Sequence, residues 1–150
     1  MAKSNFSLNF DGFLDLAKEL GNLGGEQLQK AVDNAFTASK EYLNNEVSKA
    51  MDASRYNFDG TGYSQGKAKR SLSLVKDIPV EWTGGVAKAY IGVKMRDALE
   101  VHFIIHGAPH TPKDTNLYNA IKVKGKHKKE VERIQQEEFT KVIEEALNNG

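Results

Sequence analysis

The chain has 150 residues, 39% hydrophobic and 27% charged, and its 21 Lys and Arg against 20 Asp and Glu leave a formal charge of +1. That length suits a single domain spanning 1–150 around one core, and the near-neutral balance supplies no global field for nucleic acid or an anionic membrane. The absence of Cys excludes disulfides, thiolate metal sites and Cys nucleophiles.

The opening Met1-Ala2-Lys3-Ser4-Asn5-Phe6 lacks the apolar run of a secretory signal, and no stretch approaches the roughly 20 apolar residues of a membrane span. A cytoplasmic origin, without a membrane partner, is the expectation. Ser7-Leu8-Asn9-Phe10 alternates as a short strand would, and Asp11 is placed to cap a helix carrying Phe13, Leu14, Leu16, Ala17 and Leu20. After Gly24-Gly25, Leu28, Val32, Ala35, Ser39, Leu43, Val47 and Ala50 recur every three or four positions, which predicts a long helix from Glu26 to Met51.

From Asp52 to about residue 70 the periodicity stops. Turn formers such as Asn57, Asp59, Gly60 and Gly62, punctuated by Tyr56, Phe58 and Tyr63, predict a long flexible loop. Ser71-Leu72-Ser73-Leu74-Val75, Ile78 to Trp82 and Val86 to Val93 alternate as strands, with a turn at Thr83-Gly84-Gly85. Asp97 to Ile105 fits either state and leans to helix, and Gly107 to Pro112 breaks any regular element. From His127 to Leu147 a charged helix presents Val131, Ile134, Gln135, Phe139, Val142 and Leu147 on one face. The pattern as a whole predicts an α+β fold, with a small antiparallel sheet of three to four short strands packed by the long helix and the closing one.

Chemistry-bearing patterns are sparse. Gly60 to Lys67 ends in Gly-Lys as a P-loop does, but the spacing is off by one residue and Ala68 stands where a hydroxyl would hold magnesium. Glu100, His102, His106 and His110 would share one face of a strand, and His102 and His106 would lie one turn apart on a helix, a spacing that can hold zinc. The general-base Glu of a zinc-peptidase helix is missing, so the three histidines are weak metal candidates. Lys122, Lys124, Lys126, Lys128 and Lys129 form a basic run that could grip phosphates, the basis of an alternative reading as a small nucleic-acid-binding or regulatory module. Glu130 and Glu132 follow at once and shorten its field. No Gly-x-Ser-x-Gly turn is present. The expectation is no enzyme, no cofactor and no small-molecule substrate.

Taken in order, the parts resemble the small phage tail-completion, or head–tail joining, proteins grouped as minor tail components. The residues that carry the likeness are Leu8 to Leu16, the long Ala-containing helix, a Gly-rich loop leading to Ser71-Leu72, Ala89-Tyr90-Ile91-Gly92-Val93, Val101 to Gly107, a Pro-containing loop and a charged closing helix. His106 stands where that family usually carries an acid, and Thr115-Asn116-Leu117-Tyr118 where Pro-Phe-Leu is common. The resemblance implies a structural virion protein in the neck, forming a ring, commonly a hexamer, between the tail tube protein and the head connector or stopper proteins, with DNA only as the contents of the channel. Helix faces broader than a small sheet covers would then meet a neighbouring copy. Leu28, Val32, Phe36, Leu43, Val47, Phe139 and Val142 are the helical interface candidates, joined by Tyr56, Phe58 and Tyr63 of the loop.

Overall fold

The computed structural model describes residues 25–56, 58, 67–83, 86–94 and 98–149. The expected opening strand and helix, Tyr63 and most of the 52–70 loop lie outside them. Helix α1 runs Gly25–Ala53, about 43 Å at the usual rise. Ala31, Ala35, Ser39, Leu43, Val47 and Met51 recur along it at every fourth position, and all are buried. A row of this spacing forms a ridge that fits the groove of a second helix.

That second helix is α5, Lys126–Asn149, whose Val131, Gln135, Phe139 and Ile143 make the matching row. Ala31 and Ala35 near the start of α1 cluster with Phe139, Val142 and Ile143 near the end of α5. Farther along α1, Leu43 clusters with Val131, near the start of α5. The two helices are therefore antiparallel, and small alanines make room for the Phe139 ring.

The larger side chains at the far end of α1, Val47 and Met51, join the main core. Three shorter helices close around them: α2 (Lys67–Lys76), α3 (Leu99–His106) and α4 (Thr115–Lys122). Ala68, Leu72, Val101, Ile104, Ile105, Leu117, Ala120 and Ile121 are their contributions, with Phe58.

The expected α+β architecture is corrected: the described residues are mostly helical. Their only sheet is a two-stranded antiparallel pair of three residues each, β1 (Glu81–Thr83) and β2 (Val86–Lys88), with Glu81 opposite Lys88 and Thr83 opposite Val86. Ser71 to Val75 lies in a helix, because the spacing that matters is Ala68, Ser71, Leu72 and Val75, all buried. The alternation read as a strand leaves Leu74 63% exposed. The loop expected to about residue 70 has already become helix at Lys67.

The expected strand to Val93 stops at Lys88 because its backbone is taken up by side chains beyond that point. Gly92 N–H donates to Asn44 Oδ1 at 2.9 Å, and Lys94 N–H donates to Ser71 Oγ at 2.8 Å. Gly92 sits at φ +81, a conformation that favours glycine. Ile91 and Val93 are thereby inserted into two different apolar clusters without a neighbouring strand. The helical reading of 97–105 agrees with α3, whose N-cap is Ala98. Helix α4 is additional, capped by Asp114, whose Oδ1 accepts from Leu117 N–H at 3.1 Å.

Candidate functional site

Helix α3 is apolar on two sides. Val101, Ile104 and Ile105 face the core, yet Leu99 is 56% and Phe103 41% exposed. An amphipathic surface helix turns a polar face outward, and a helix apolar all round is normally covered. With exposed His102 and His106, these residues follow the i, i+3, i+4, i+7 spacing of one outer stripe.

Aromatic contacts extend the stripe onto α4. The His102 and His106 rings lie 4.7 Å apart, and His106 packs edge-on against Tyr118 at 5.9 Å. Lys113 Nζ sits 3.9 Å over the other ring of that pair, Tyr118, a cation–π contact. Partial loss of water, then His102, Lys122 and Lys113, hold the His106 imidazole below the usual histidine range. The lowered proton affinity of His106 favours its neutral ring within the stripe.

The structure brings two of the weak metal candidates together and separates the third. His102 and His106 are neighbours, but His110 lies beyond the Gly107 break, at φ +66 in the turn closed by the Ala108–Thr111 bridge. Glu100 is two residues from His102 on a helix, about 200° around the axis. Among the described residues no group of three His, Asp or Glu is arranged to hold a metal ion.

The interface candidates are also relocated. Leu43, Val47, Phe58, Phe139 and Val142 are almost wholly buried within this chain, and Phe36 nearly so. Leu28, Val32 and Tyr56 are half-buried and pack against the same clusters. The long helices cover each other, so these candidates are core within the chain, while Leu147 near the end of α5 stays 60% exposed. The signal that marks α3 is the apolar density of Val101, Phe103, Ile104 and Ile105 around His102, too rich for a single buried face.

A small cleft of about 210 Å³ lies between Val75, Ile78, Tyr90 and Val93, below the size of usual small-molecule sites. The Tyr90 hydroxyl donates to Glu81 Oε2 at 2.8 Å, which raises the phenol above its ordinary range. A phenol held in that way is a poor base or nucleophile. Compared with protein-family models, with characterised proteins and with solved structures, the chain matches none of them.

Proposed function

We propose that the chain is a structural subunit that assembles with copies of itself, forming a ring at the head–tail junction of a tailed phage or prophage. The observation that carries the assembly is the α3 stripe, where Leu99 and Phe103 stand exposed on a helix whose other side is core. Exposed apolar side chains grouped with aromatic rings on one helix face are the kind of surface that a protein partner covers. The virion setting rests on the order of sequence elements, from Leu8 to the closing helix.

A ring requires a heterologous contact, in which two different patches of one subunit meet. Leu74 on α2 and Leu147 near the end of α5, both more than half exposed, are the described apolar residues available to receive the stripe. Among the described residues no helix is long and apolar enough to cross a membrane, in keeping with a particle component.

The test is genetic and biochemical. Disabling the chain in the phage or prophage that carries it should leave filled heads and free tails that fail to join, and the purified protein should restore joining. Normal virions formed without it would overturn the reading.

A further inference from the structure

The basic run before α5 does not spread over a featureless helix face. Lys124 and Lys126 converge with Lys49 of α1 on a cleft of about 470 Å³, where Asn116 and Asn119 of α4 supply amide groups. One carboxylate, Glu46, lines the same cleft, and it is paired with Lys49 at 3.2 Å. Neither Lys124 nor Lys126 has a carboxylate partner among the described residues. The cleft therefore holds an excess of two positive charges.

Its setting adds to that potential. Helix α5 begins at Lys126 and has no acidic residue in its first turn. Cations at a helix N-terminus oppose the macrodipole, whereas an anion there is stabilised. The turn that brings Lys124 to the cleft is itself forced: Val123 lies at φ 56 with its side chain buried beside Leu43, Ile91 and Val131. Val123 and Lys124 both donate their N–H groups to the Asn119 carbonyl. The inner wall is His127, 5% exposed, whose Nδ1 lies 3.2 Å from the Tyr42 hydroxyl.

We propose that this cleft is a phosphate-binding site, in which Lys49, Lys124, Lys126, Asn116 and Asn119 hold a phosphodiester backbone or a free oligophosphate. Ammonium groups supply charge and the Asn side-chain amides supply directed N–H donors. The site goes beyond the assembly reading and does not depend on it.

His127 is a built-in reporter. Burial, and Lys126, lower its proton affinity, while Glu46 opposes them. The other charged groups nearby are Lys49 on α1, Lys124 in the turn, and Glu130 on α5, which is paired with Arg133. An anion bound against Lys124 and Lys126 would raise the His127 proton affinity.

The experiment measures binding of a short labelled DNA duplex by fluorescence anisotropy and of inorganic tripolyphosphate by calorimetry. It uses the wild type, the double variant Lys124→Glu with Lys126→Glu, and the control Lys141→Glu, about 22 Å farther along α5. All three substituted lysines are exposed, so folding should be retained and is checked by circular dichroism. If three phosphates are neutralised, duplex affinity should fall roughly 40-fold between ~50 and ~200 mM salt, and only about 3-fold to 4-fold for one remaining contact in the double variant. The control should match the wild type. Binding of tripolyphosphate without DNA supports the site as one for free oligophosphates, and binding of DNA without tripolyphosphate supports it as a backbone site. Saturation with whichever anion binds should shift the NMR titration of His127 to higher pH. No binding of either anion at low salt, binding undiminished in the double variant, or an unmoved His127 titration would each overturn the proposal.

Discussion

At the residue scale, the core contains one polar layer that nothing satisfies. Ser39 lies one turn from both Ala35 and Leu43, and Gln135 one turn from both Phe139 and Val131, so the antiparallel packing sets them at the same level between two apolar clusters. Both are 0% exposed, and Ser39 Oγ, Gln135 Oε1 and Gln135 Nε2 have no hydrogen-bond partner among the described residues. An unpartnered buried polar group costs about 1–3 kcal/mol. Gln135→Met, close in volume, should therefore raise the urea midpoint by an equivalent of about 1–2 kcal/mol, and a lowered midpoint would contradict this account of the layer. Asn44 predicts the opposite sign. Its Oδ1 is the acceptor for Gly92 N–H in a buried site, so Asn44→Ala should destabilise by about 1–3 kcal/mol and speed hydrogen exchange at Gly92. His127 sets a pH dependence: its folded proton affinity is lowered from 6.5, chiefly by burial. The unfolded chain then binds the proton more readily, so this contribution to stability is present above pH 6.5 and is lost as pH falls toward the depressed value. Denaturant melts across that window should show the loss, and His127→Gln should flatten it. Ser39 and Gln135 read in the sequence only as polar members of apolar stripes, and Asn44 is not marked at all, because which backbone group a buried amide meets is decided by chain segments far away.

At the element scale, length decided what was legible. Helices α1 and α5 span 29 and 24 residues, enough turns for a period of 3.6 to be unmistakable. Helices α2, α3 and α4 have ten, eight and eight residues, and over so few positions the two periods are easily confused. Ser71 to Val75 looked alternating because Ala68, the first buried position of α2, had been assigned to the loop. Helix α4 was missed although Asp114 and the Leu117, Ala120, Ile121 spacing mark a capped amphipathic turn, since the preceding prolines suggested an extended loop. The α3 stripe yields a prediction at this scale. Leu99→Glu with Phe103→Glu changes only exposed positions, so thermal stability of the subunit should shift by no more than about 0.5 kcal/mol per site, while self-association measured by light scattering should be lost. Unchanged association would remove α3 from the interface.

At the scale of the whole molecule, the two long helices that sequence patterning assigned partly to a neighbour are spent mainly on each other, and the surface proposed for assembly is a short helix that the patterning left ambiguous. This redistribution follows from the absence of a broad sheet. With only a three-residue strand pair among the described residues, α1 has α5 for its main cover along the first half and α2 and α4 along the second. The sequence carried the existence and the apolar stripes of the long helices but not their partners, because a stripe of buried positions does not say what buries it. The candidate surface lay one step farther off, visible only once Val101, Ile104 and Ile105 are known to face inward. Single-particle electron microscopy of the purified protein over a concentration series tests the central claim most directly. The account predicts closed rings of identical copies with Leu99 and Phe103 in the subunit contact. Single copies at every concentration, or rings in which that stripe faces solvent, would contradict it.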